Sequence, residues 1–151
     1  PGGVSRDATW LEDKRLSQNA RDLARRILED MWNAKNASLI DELYSDDCVI
    51  HTPDGEVRGV EGARGLYDVY TSSFPDVRFE IEQIVAEGDM AIAQLVFTGT
   101  HLGALGDIPA SGNAVRIDNS CFFRFSEGRL VEQKGVWDSL SFMRQIGADL
   151  G

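Results

Sequence analysis

The chain has 151 residues, of which 42% are hydrophobic and 26% charged, with a formal net charge of −10. Those values suit one folded domain with a single sizeable core and exclude a disordered chain. The acidic balance excludes nucleic acid as a partner, because a binder neutralises phosphates with clustered cations and only Arg21, Arg25 and Arg26 cluster, among helix acids.

Residues 1–13 read as a flexible N-terminal arm that Trp10 is able to pin to a surface, and residues 14–151 as the domain. From Lys14, apolar residues recur at spacings of three and four through Leu16, Ala20, Leu23, Ala24, Ile27, Leu28, Met31 and Trp32, which predicts one amphipathic helix ending near Asn33–Asn36. Ser38 is placed to cap a short helix with Leu39, Ile40, Leu43 and Tyr44 on its apolar side. A strand over Cys48–His51 ends at the turn Pro53-Asp54-Gly55, and Val60–Phe74 forms a third helix with Leu66, Val69, Tyr70 and Phe74 inward. Val77–Ala86 and Met90–His101 make a hairpin around Glu87-Gly88-Asp89. The segment from Leu102 to Asn113 is too long for a hairpin turn and is expected as a lid or rim.

The last third of the chain organises the rest. Ala114–Phe125 and Arg129–Trp137 are two long strands joined by Ser126-Glu127-Gly128. Alternation puts Val115, Ile117, Asn119, Cys121, Phe123 and Phe125 inward, with Val131, Gln133, Gly135 and Trp137 on the matching side of the second strand. Phe122, Leu130 and Val136 then fall on the outer face, which predicts a homodimer built there. Asp138 caps a last helix, Ser139–Ile146. Helices followed by long antiparallel strands define an α+β fold, a cone-shaped curved antiparallel sheet packed on the N-terminal helices, with its interior as the natural pocket.

No apolar run approaches the roughly 20 residues of a membrane span, so no membrane partner is expected. The start Pro1-Gly2-Gly3-Val4-Ser5 has no signal-peptide core, so the expected location is cytoplasmic. With two cysteines, Cys48 and Cys121, in no metal-binding spacing, and two histidines, His51 and His101, no metal site is expected.

Trp32-Asn33, Val49-Ile50-His51-Thr52-Pro53, Arg58-Gly59-Val60-Glu61-Gly62, Phe74-Pro75-Asp76, Glu87-Gly88-Asp89, Gly99-Thr100-His101-Leu102-Gly103, Ile108-Pro109-Ala110-Ser111-Gly112, Phe123-Arg124, Glu127-Gly128-Arg129-Leu130-Val131-Glu132 and Arg144-Gln145-Ile146-Gly147 follow one another in a telling order. That order resembles the SnoaL-like polyketide cyclases of the nuclear transport factor 2-like superfamily, from about residue 15 onward. The resemblance implies that superfamily's α+β barrel, a hydrophobic polyketide-like ligand and chemistry without a cofactor. In these cyclases an aspartate on the last long strand serves as acid and base, assisted by a histidine on the strand before. Carried over by position, the histidine place falls on Cys121 and the aspartate place on Gly135. The carboxylic acid of the similar ketosteroid isomerases also falls near Cys121. Thr52 matches a polar active-site place of several relatives.

The candidate catalytic residues are therefore others, Asp118 and His101. Asp118 is either a general base beside the cavity or, by its parity, a partner of Arg116 or Arg124 at a subunit interface. His101 either titrates at the pocket mouth or hydrogen-bonds the loop that follows it. Expected to line the pocket are Trp32, His51, Thr52, Phe74, Asn119, Cys121, Phe123, Gln133 and Trp137. Asn119 and Gln133 are suited to orient a carbonyl, and Cys121 is either a weak acid or nucleophile or a small buried hydrophobe. The reading is a cofactor-independent enzyme, of cyclase, isomerase, hydratase or hydroxylase type, or a non-catalytic binding domain. An ionisable group inside the cavity separates the two.

Overall fold

A computed structural model describes residues 6–151. Helix α1, Arg6–Arg25, continues without a break into π-type turns over Arg26–Asn33. The helix thus starts inside the stretch expected as an arm, and residues 1–5 lie outside the described residues. No Gly or Pro interrupts residues 6–33, and Lys14 sits 4.1 Å over the Trp10 ring one turn away, a local contact that favours helix over arm. The wider turns end in amides bonded five residues back, Ala34 to Glu29 at 2.9 Å and Asn36 to Met31 at 3.0 Å. They bring Ile27, Leu28, Met31 and Trp32 together as a buried face.

Helix α2, Leu39–Leu43, is not capped by Ser38, whose hydroxyl instead donates to Asn36 Oδ1 at 2.5 Å. Strand β1, Tyr44–Thr52, is longer than its expected core, and β2, Gly55–Arg58, pairs back on it. Helix α3, Gly59–Ser73, leads to β3, Arg78–Glu87, β4, Met90–Thr100, β5, Ala114–Ser126, and β6, Arg129–Trp137. Helix α4, Ser139–Gln145, is capped as expected, the Ser141 amide donating to Asp138 Oδ1 at 2.9 Å.

The strands form one curved, unclosed sheet in the order β2-β1-β6-β5-β4-β3. The four long strands β3 to β6 run antiparallel as expected, β2 pairs antiparallel with β1, and β1 joins β6 in parallel. On β5 the alternation is as read, Val115, Ile117, Cys121, Phe123 and Phe125 being buried. On β6 it holds for Gln133, Gly135 and Trp137 and breaks before them, where a bulge shifts the register between Arg124 opposite Glu132 and Phe125 opposite Leu130. The residue left over is Val131, and Leu130 turns inward, fully buried, instead of lying on the outer face.

The segment 102–113 is neither lid nor rim. Leu102 and Gly103 donate to the Ser73 carbonyl at 3.0 and 3.1 Å, and Ser73 Oγ donates to Ala104 O at 2.9 Å, which fastens the loop to the end of α3. Gly103 permits that closeness, since a Cβ there would lie 2.3 Å from Ser72 O. Among the described residues no helix is long and apolar enough to cross a membrane.

Candidate functional site

Between the helices and the concave face of the sheet lies an apolar cavity of about 70 Å³. Ile27, Leu28 and Trp32 of the first helix and Leu66 and Tyr70 of α3 form one wall, with Phe142 of α4. Phe79, Leu95, Phe97, Ile117 and Phe123 form the sheet wall, and Ile50, His51 and Thr52 with Gly135 and Trp137 form the end where β1 and β6 finish. The strand parity that buries Ile117 and Phe123 also sends Asn119 and Cys121 inward, so the polar groups reach the interior by the same alternation that builds the wall.

Of the residues expected to line it, Trp32, His51, Thr52, Asn119, Cys121, Phe123, Gln133 and Trp137 do so. Phe74 does not. It is wholly buried behind the wall, with ring centroids 5.4 Å from Phe97, 5.8 Å from Phe142 and 6.5 Å from Tyr70.

The two candidate catalytic residues are not brought to the cavity. Asp118 is exposed on the other face of β5, as its even parity dictates. Nor does it take Arg124, which lies 3.4 Å from Asp89 and 3.8 Å from Glu132. His101 is buried, and its ring stacks on Phe74 with centroids 5.4 Å apart. Its Nδ1 accepts from the Ser111 amide at 3.2 Å and lies 2.9 Å from Ser111 Oγ, so it binds the loop that follows it.

His51 touches the cavity edge with its ring engaged elsewhere. Nδ1 lies 3.4 Å from Glu56 Oε1 and Nε2 3.3 Å from Glu132 Oε2, both carboxylates being solvent-exposed. Ile50 and Thr52 have the inward parity on β1, and His51, between them, has the outward one. Thr52 is occupied with its own turn, donating to Gly55 O at 2.9 Å and accepting from the Asp54 amide at 3.2 Å.

The groups that do face inward are neutral. Burial pushes the Cys121 thiol up to about 12 against a hydrogen bond with Gln133. Behind it Tyr44 donates to Gln133 Oε1 at 3.4 Å, and burial raises its hydroxyl far above the ordinary value. Burial, then the nearby Asp54 charge, push the Tyr70 hydroxyl up to about 12. Asn119 Oδ1 is buried without a hydrogen-bond partner in the protein. Sequence reasoning took Tyr44 as an apolar-side residue of the short helix, where the structure makes it the first residue of β1, and took Tyr70 only as an inner-face residue of its helix, although apolar spacing on α3 pointed it at the sheet. Among the described residues no cluster of His, Cys, Asp and Glu is placed to hold a metal.

Cys121 and Gly135 are paired directly across β5 and β6 and both line the cavity. A Cβ on Gly135 would lie 2.9 Å from Cζ3 of Trp137, so the indole occupies the space above the glycine.

Helices on one face of a curved, unclosed six-stranded sheet with an apolar interior define the nuclear transport factor 2-like α+β fold. Within it, the chain belongs to the SnoaL-like polyketide cyclase family, whose model matches residues 22–146. A SnoaL-like protein of Jannaschia sp. CCS1 shares the fold at 21% identity, with a TM-score of 0.82 over 99% of both chains. TsrD from Streptomyces laurentii is 26% identical over 87% of this chain and 97% of its own, with a TM-score of 0.76. AclR from Streptomyces galilaeus, provisionally a hydroxylase, is 25% identical over 87% of this chain and 82% of its own, also at 0.76. No curated protein matches the sequence.

Proposed function

We propose that the protein binds a hydrophobic polyketide-like small molecule in this cavity and holds it by neutral hydrogen-bonding groups, without a cofactor. One observation carries the reading: the polar side chains that line the cavity are Thr52, Tyr70, Asn119, Cys121 and Gln133, while His51 at its edge is engaged by Glu56 and Glu132, His101 is bound to its loop and Asp118 is exposed on the other face of β5. Apolar walls with a few placed polar groups recognise small molecules. Proton abstraction beside a carbonyl, in contrast, needs a base that titrates near neutrality, and thiols or phenols raised to about 12 do not supply one. On the register that the family resemblance implies, Cys121 and Gly135 take the places of the cyclases' histidine and aspartate, which supports a chain that keeps the cavity without that chemistry.

A second reading is favoured by Tyr70. A neutral phenol lining the cavity is able to donate to a developing oxyanion, as an acid partner in cyclisation or hydroxylation. Mass-spectrometric detection of deuterium exchange at the carbons beside the carbonyl of a bound anthrone or β-diketone separates the two. The binding reading expects quenching of Trp32 or Trp137 emission with no exchange above the buffer rate, and protein-dependent exchange would favour the catalytic one.

We further propose a homodimer through the outer face of the sheet. Phe122 and Val136 are 36% and 48% exposed there, beside Met90 and ringed by Arg124, Glu132 and Lys134. An apolar centre with charges of both signs at its rim is self-complementary across a two-fold axis.

A further inference from the structure

Asn119 interrupts an apolar pattern. Its neighbours along the inward face of β5 are Ile117 and Cys121, and opposite it across the strands stand Leu95 and Trp137. A strand whose other inward residues are Val, Ile, Cys and Phe has no packing use for an amide, and a polar group placed against the local rule marks function more often than structure. The group is also incomplete: Asn119 lines the cavity and its Oδ1 is buried with no hydrogen-bond partner in the protein. Buried acceptors are nearly always paired. Leu95 and Ile117 have no donor to offer, and neither the Trp137 indole nor the Cys121 thiol donates to Oδ1.

We infer that Asn119 is the recognition group of the cavity, its Oδ1 accepting a hydrogen bond from the ligand, and that the ligand is an aromatic molecule bearing a neutral donor such as a phenolic hydroxyl. The inference rests on the binding function proposed above and narrows its ligand class. Trp32, Phe79, Phe97, Phe123 and Trp137 supply faces and edges for ring packing, which selects an aromatic body. The apolar surroundings select a neutral donor over an ammonium, because a buried cation without a carboxylate partner carries a heavy desolvation penalty. A ketone or hydrocarbon lacking a donor leaves Oδ1 unpaired and is selected against.

The test is a matched pair of single-ring probes, phenol and toluene, which have nearly the same size, require the same opening of the cavity and differ by a hydroxyl in place of a methyl. Their affinities are measured by ligand-observed NMR on the full chain, wild type and Asn119→Leu. The ratio of toluene to phenol dissociation constants cancels general hydrophobicity when compared between the two proteins. We expect that ratio to fall by about tenfold in Asn119→Leu, the worth of one hydrogen bond to a buried acceptor. In wild type labelled at its asparagine side chains, the Asn119 amide resonance should move with phenol and stay with toluene. This second readout decides the matter alone if the Leu variant does not fold. An unchanged ratio, or an amide unmoved by bound phenol, overturns the inference while leaving the cavity a binding site. Failure of both probes to bind wild type overturns the binding function and the inference with it.

Discussion

Gly135 and Trp137, two residues apart on the same face of β6, are sterically coupled: a methyl group on residue 135 would meet the Trp137 ring at 2.9 Å. No positive φ demands glycine at this position, so what demands it is the ring. Gly135→Ala should therefore displace the indole and cost about 1–3 kcal/mol as overpacking. In a Trp137→Ala background the same change should cost nothing or gain a few tenths, because alanine is the better strand residue. Urea midpoints of the four proteins give the coupling energy directly. Additive costs would show that the ring yields freely, and the coupling would then have no energetic weight.

The same ring sets the cavity's capacity. At about 70 Å³ the cavity is smaller than the engineered cavity of about 150 Å³ that takes up benzene. An aromatic ligand enters only if the partly buried Trp137 swings off Gly135 or the helices part, and a multi-ring one needs the larger opening. Trp137→Ala should thus admit larger aromatics and tighten their binding by about tenfold, roughly the contribution of burying two methylene equivalents without first moving the indole. Calorimetric titration with naphthol and anthracenol measures it, and unchanged affinity for both would place the entrance elsewhere.

Cys121 should behave as an inert thiol. With its proton held up to about 12 by burial, the thiolate is scarce near neutral pH. Iodoacetamide labelling of the native protein should be at least about 100-fold slower than of the urea-unfolded chain, and slower again with ligand bound. Rapid labelling at neutral pH would mean an activated thiol and return Cys121 to the list of nucleophiles.

Acid sensitivity should centre on Asp76. Its carboxylate accepts from the Thr100 amide and hydroxyl, each at 2.7 Å, tying the turn after α3 to the end of β4. Slight burial works against the charge, but those bonds and the Lys35 ammonium hold the carboxyl below its ordinary 3.8. The folded state therefore binds this proton less readily than the unfolded one. Its contribution is complete above 3.8 and disappears as pH falls through the lower folded value. Asp76→Asn should lower the urea midpoint at about pH 7, and the difference from wild type should shrink steadily as pH falls below 3.8. A difference that persists undiminished in acid would assign the effect to geometry instead of charge.

What was legible in the sequence follows from how local each determinant is. The inward set of β5, from Val115 to Phe125, is a pure alternation and could be read residue by residue, which is why Asn119 and Cys121 were placed at the cavity. Leu130 was misplaced because the bulge at Val131 is a property of the β5–β6 pairing, not of β6 alone. Strand β2, Gly55-Glu56-Val57-Arg58, carries too little hydrophobic pattern to announce itself and exists because β1 offers it an edge. For His51 the signal was present: its neighbours Ile50 and Thr52 take the inward parity, which sends the imidazole outward to Glu56 and Glu132. His101 was one of two open alternatives, and only the fold of 102–113, with Ser111 brought back onto Nδ1, decides between them.

Leu130 and Val136 now separate stability from assembly. Leu130 is fully buried opposite Phe125, whereas Val136 is 48% exposed on the outer face beside Phe122. Leu130→Ala should cost about 2–5 kcal/mol as a core truncation. It should leave sedimentation at a given folded fraction unchanged. Val136→Glu should change monomer stability by less than about 0.5 kcal/mol, since the side chain meets solvent in the single chain. Two such carboxylates facing each other across a two-fold axis would be desolvated together, so the variant should sediment as a monomer at concentrations where wild type is dimeric. If Val136→Glu and wild type sediment alike as dimers, the outer face is not the interface, and Phe122 and Val136 are exposed for another reason.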